Sequence, residues 1–84
     1  MKNLYTITEI FETNEGMVYT TTNNQIKDVE EAKVMFESRT AMMLQTPNVK
    51  VLSQQYQENE FGFTKVELPD GSTIEIAMLK LVLV

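Results

Sequence analysis

Residues 74–84 read IEIAMLKLVLV, and the register of this run decides how the rest of the chain is covered. Along an extended strand successive side chains project to opposite sides. Ile74, Ile76 and Met78 therefore share one face, and Leu79, Leu81 and Leu83 share the other. Two arrangements follow. A bulge near Ala77 and Met78 resets the alternation, bringing the leucines under the same cover as the isoleucines and turning Lys80, Val82 and Val84 outward. A straight strand is instead apolar on both faces and needs more cover than one helix supplies. A second copy of the chain is the economical source, by sheet packing or edge pairing. The run is too short for a membrane-spanning helix and is interrupted by Glu75 and Lys80, and a membrane barrel needs many more strands.

Upstream, LYTITEIFE (residues 4–12) is dense in β-branched and aromatic residues and predicts a strand with Tyr5, Ile7 and Phe11 on one face. Asn14, Glu15 and Gly16 supply a turn, after which Met17 to Thr22 returns as a second strand. The polar run TTTNN (20–24) reads as a loop. At Asp28 the period changes: Asp28 caps a helix and Glu31 completes a capping box. Val29, Ala32, Phe36, Thr40, Met43 and Leu44 then form one stripe at a spacing near 3.6. Thr46, Pro47 and Asn48 stop the helix. Val49 to Tyr56 and Phe61 to Leu68 restore a period of two, Pro69 to Ser72 makes a tight turn, and Thr73 to Leu83 is the closing strand. The expected architecture is a single α+β domain over residues 1–84. Its order is ββαβββ, a mostly antiparallel sheet with one helix packed on one face.

Composition bounds the chemistry. The 84 residues contain neither Cys nor His, which excludes disulfides, thiolate nucleophiles, the usual zinc ligands and the commonest general base at neutral pH. Twelve acidic and seven basic side chains give a net charge of -5, which repels nucleic acid and anionic membranes and favours basic partners. The cations are scattered and form no basic stripe, and the acids are not aligned as a DNA mimic requires. Glu30 with Glu31 and Glu58 with Glu60 are the closest carboxylate pairs. The first pair sits in an opening helical turn that favours the ionised form, and the second in a solvated turn, so neither is suited to general acid catalysis. QENEFG is a faint echo of a calcium loop, and no phosphate-binding glycine loop is present. The expectation is a protein that is not an enzyme, with no catalytic, cofactor or metal residues. The opening MKNLYTITEIFE lacks the apolar run of a signal peptide, so the cytoplasm is the expected location.

Two apolar sets have no assigned place. Met35 and Met42 lie seven apart beside the core stripe, near Arg39, and thioethers suit an adaptable contact surface; the alternative is that a broad sheet covers a broad helix face. The leucines of the closing strand are the second set. Together they give an expected protein interface of Met35, Arg39, Met42, Leu79, Leu81 and Leu83.

An aromatic hairpin at the start, a helix opening with DVEEAKVMFES (28–38), and an exit TPNV leading into VKVLSQQYQENEFG (49–62) make the chain resemble small accessory proteins encoded by bacteriophages and prophages of low-GC Gram-positive bacteria. The resemblance carries over no functional residue. It implies a non-enzymatic protein that binds a host or defence-system protein in the host cytoplasm. With the leucine face, the first reading is a self-associating interaction protein, a homodimer or higher oligomer, that binds an unidentified host protein. The second reading is a small-ligand-binding protein that captures a polar metabolite or nucleotide signal between the sheet and the TTTNN loop.

Overall fold

The computed structural model describes residues 2–58 and 60–83, without the side chains of residues 2, 3, 24, 25, 82 and 83. The elements are β1 (Lys2–Glu12), β2 (Val18–Ile26), α1 (Val29–Leu44), β3 (Lys50–Gln57), β4 (Phe61–Glu67) and β5 (Thr73–Leu83). Among the described residues the strands form one antiparallel sheet in the order β2-β1-β5-β4-β3, and α1 packs on one of its faces. The fold is α+β.

Local chemistry explains most of the boundaries. The Asp28 carboxylate accepts from the Glu30 amide at 2.9 Å, satisfying one of the amides that a helix start leaves free. Asn48, in the connection between α1 and β3, takes the left-handed conformation at φ 63, a geometry that asparagine tolerates better than most side chains. In the β4–β5 turn Gly71 has φ +89, and its amide donates to Leu68 O at 3.0 Å. At the same end of the sheet, Asn14 of the β1–β2 turn donates to Asp70 O at 3.0 Å, bracing the two turns against each other.

The TTTNN run is not a loop. Thr20, Thr21, Thr22 and Asn23 continue β2 and oppose Ile10, Glu9, Thr8 and Ile7. Threonine is β-branched, and on an edge strand its hydroxyl keeps access to water, so strand propensity prevails over polarity. The register then shifts between Tyr5 and Ile7, giving β2 one extra residue. The shift brings Ile26 opposite Tyr5 and into the core, immediately before the helix begins.

The core lies between α1 and the helix-facing side of the sheet: Ala32, Phe36 and Met43 from the helix meet Tyr5, Ile7, Val66, Ile76 and Met78 from the strands. Thr40 completes the buried stripe, whereas Leu44 is partly exposed. Gly62 is required at its position, because a Cβ there would fall 2.6 Å from the Phe36 ring.

The closing strand runs straight. β5 pairs rung by rung with β1 from Thr73 to Leu83 and with β4 from Thr73 to Leu79, with no register shift near Ala77 or Met78. The bulged arrangement is therefore corrected: a strand flanked on both sides inherits its register from two neighbours at once, and a bulge would have to break both ladders. Edge pairing through β5 is excluded by the same order, since its two edges are already occupied.

Candidate functional site

With β5 straight, the side of the sheet away from α1 can be assembled residue by residue. Directly opposed residues of antiparallel strands share a face. Leu81 faces Leu4 across β1, Leu79 faces Thr6 across β1 and Phe61 across β4, and Ala77 faces Phe63. These residues form a continuous apolar band over the three central strands. Leu79 is 52% exposed and Leu81 46%, and Leu4, Phe61, Phe63 and Ala77 are half-buried. The band is bordered by polar edge strands, Thr20 and Thr22 on β2 and Ser53, Gln55 and Gln57 on β3. Toward the turn that holds Gly71 it gives way to Glu12, Glu67 and the opposed pair Lys65 and Glu75. An apolar centre with a polar rim is the anatomy of a protein interface.

A second feature lies on the helix side. α1 packs chiefly on β5 and β1 and less on β4, so the face of β3 beside it is left uncovered. A cleft of about 370 Å³ opens there, lined by Phe36, Thr40, Ala41 and Leu44 of the helix and by Gln54 and Tyr56 of β3 among others. The rings of Phe36 and Tyr56 stack with centroids 6.2 Å apart. Thr40 is only 8% exposed, and its hydroxyl oxygen is buried with no hydrogen-bond partner among the described residues. An unpaired buried hydroxyl costs about 1–3 kcal/mol. Thr40→Val, which keeps the shape and removes the hydroxyl, is therefore expected to raise the melting temperature. For roughly 1 kcal/mol the rise is about 4–8 °C in a domain of this size, measured by thermal unfolding of both proteins at equal concentration.

The sequence-expected residues separate in space. Met35 packs against the core and borders a small niche of about 30 Å³ with Ile7, Glu9, Thr21, Asn23 and Arg39. It is partly covered, as the broad-helix-face alternative requires, whereas Met42 is 70% exposed. Arg39 is engaged within the chain: one guanidinium nitrogen donates to both carboxylate oxygens of Glu9, at 2.9 and 3.0 Å. Leu79 and Leu81 stand on the open sheet face, and the side chain of Leu83 lies outside the described residues. The niche by Thr21 and Asn23 lies where a ligand between the sheet and a TTTNN loop was expected; β1, β2 and α1 wall it, and its volume is about 30 Å³. Leu4, Phe61 and Phe63 were missed. The signal for the last two was the alternation of Phe61, Phe63 and Lys65 with Gly62, Thr64 and Val66.

Other ion pairs tie elements together on the surface. Lys33 of α1 meets Glu58 at 3.2 Å, and Lys80 of β5 meets Glu60 at 3.1 Å. The hydrogen bond that the Lys33 ammonium donates to Glu58 holds it above its ordinary pKa. In the β4–β5 turn the Ser72 hydroxyl and then the Ser72 amide donate to Asp70, and hold its carboxyl below the usual carboxylate range. A depressed folded-state pKa contributes stability above the unfolded value, and that contribution is lost as the pH falls through the folded one. Accordingly, the Asp70 carboxyl carbon is expected to titrate in NMR at a lower pH than an unstructured aspartate. Ser72→Ala should move it back up; coincident titration in the two proteins contradicts this assignment.

Among the described residues no group of three or more His, Cys, Asp or Glu is placed to hold a metal ion, and no helix is long and apolar enough to cross a membrane. No protein-family model matches the chain, and no curated protein or solved structure matches it.

Proposed function

We propose that this protein is a non-enzymatic interaction protein that self-associates by stacking the open faces of two sheets, and that the dimer binds a further protein of its host. The observation that carries this reading is the straight β5, which leaves Leu79 and Leu81 exposed in a band with Leu4, Phe61 and Phe63. The second copy is favoured as the occupant on three grounds. The molecule measures 44 and 23 Å along its two longer dimensions, so a second copy of the same outline can lie over the whole band. An uncharged band is complementary to itself, as a two-fold interface requires. Stacking about a two-fold axis that lies in the sheet plane and perpendicular to the strands also sends the acidic ends at Glu12, Glu67 and Glu75 to opposite extremes of the pair. For the further partner, the exposed Val34 and Met42 on α1 remain accessible in such a dimer, and the net charge of -5 favours a basic surface.

The test is the solution mass as a function of concentration and salt. Light scattering is expected to give twice the chain mass at high micromolar concentration. The dimer should tighten as ionic strength rises, because salt screens the repulsion between two chains of charge -5 without weakening an apolar contact. A strict monomer under these conditions overturns the reading.

A further inference from the structure

The cleft between α1 and β3 opens on the helix side of the sheet, away from the leucine and phenylalanine band. Its walls are apolar, with stacked Phe36 and Tyr56 along one side and Ala41 and Leu44 above. Its volume of about 370 Å³ lies within the range of small-molecule sites. Among the described residues the one charged residue lining it is Glu37, which disfavours anions, so phosphates and nucleotides are poor candidates. The unpartnered Thr40 hydroxyl is the polar group that such a pocket needs to orient a ligand. A buried polar group without a partner also wants an explanation beyond folding, because an isosteric valine would fill the same space at less cost. Within the chain the oxygen is covered. Threonine in a helix populates two χ1 wells, and one step between them redirects the hydroxyl.

From this combination we infer that the cleft is a binding site for a small, flat, uncharged aromatic molecule carrying one hydrogen-bonding group. The ring lies along the exposed Tyr56, and the polar group pairs with the Thr40 hydroxyl once it has turned. Pairing there satisfies a hydroxyl that has no partner among the described residues. This differs from the polar metabolite expected from the sequence in both place and chemistry: the site is on the β3 side of the helix, and it selects against charge.

Indole and indene provide the test, since they share a shape and differ in one N–H. Both are titrated into the full chain, with amide resonances followed by NMR, for the wild type, Thr40→Val and Ala41→Phe. Ala41 is exposed on the helix, so its replacement fills the cleft without entering the core. Indole is expected to shift the amides of Thr40, Ala41, Gln54 and Tyr56 along a saturating curve, with indene at least about ten-fold weaker, the worth of one hydrogen bond. Thr40→Val should abolish the difference between the two, and Ala41→Phe should abolish both. The inference is overturned if these amides do not saturate below the solubility limit of indole, or if the shifts centre on Phe63 and Leu79. It is equally overturned if the wild type binds indole and indene alike, or if Thr40→Val still prefers indole. The mass measurement above is independent of all these outcomes, so each reading can fail alone.

Discussion

Leu79→Asp is expected to convert the proposed dimer to a monomer that remains folded. Leu79 is already 52% exposed in the single chain, so the substitution removes little intramolecular packing. At a two-fold interface every substitution counts twice. Burying the exposed half of a leucine contributes about 1 kcal/mol per copy, and two facing carboxylates add the cost of desolvation and mutual repulsion. The sum exceeds roughly 3 kcal/mol, so the dimer is expected to weaken by more than about 100-fold. Sedimentation or light scattering reads the mass, and circular dichroism reads the fold. A variant that keeps the wild-type mass contradicts stacking through this face. One that unfolds shows instead that Leu79 belongs to the core of the single chain.

Phe36→Ala acts on the opposite side of the sheet, and its expected effect is on stability. The ring is nearly inaccessible, covers Gly62 closely enough to exclude a Cβ, and stacks on Tyr56. Removing such a ring typically costs about 3–5 kcal/mol. A domain of this length has a total stability of roughly 4–13 kcal/mol, so the loss is a large share of what holds the fold. The adjoining cleft admits water into part of the space, which places the expected cost near about 3 kcal/mol and the fall in melting temperature at about 12–24 °C. Phe36→Leu should recover most of it. A shift below about 5 °C for the alanine variant contradicts the central place given to this ring.

Much of the fold was legible in the sequence, for identifiable reasons. Asp28 as cap, the stripe from Ala32 to Met43, the glycine turn at Gly71 and the limits of β5 all follow from interactions within a few residues of chain. The features that escaped depend on partners distant in sequence. Whether β5 bulges is decided by β1 and β4 together, and local alternation left both forms open. The apolar band needs strand order before Leu4, Phe61 and Phe63 can be seen as neighbours of Leu79 and Leu81. The TTTNN run was misread because its polarity masked the strand preference of threonine. Thr40 was recognised as a stripe position, yet its unpaired hydroxyl appears only once the helix is seen to lie toward β1 and β5 and away from β3. Arg39 likewise gave no local sign that Glu9 would engage it.

The position of β5 has a kinetic side. Its rungs with β1 run from Glu12 with Thr73 to Lys2 with Leu83, so the middle of the sheet is a seam between segments far apart along the chain. The β1–β2 hairpin and the β3–β4–β5 meander each assemble from near neighbours, whereas the seam must wait for a large loop to close. Pairing of that kind slows folding toward the millisecond-to-second range. During the wait, each half displays its share of the leucine and phenylalanine band beside an unpaired central edge. The vulnerable species in the life of this chain is thus the half-zipped sheet, and crowding at the moment of synthesis is its principal hazard.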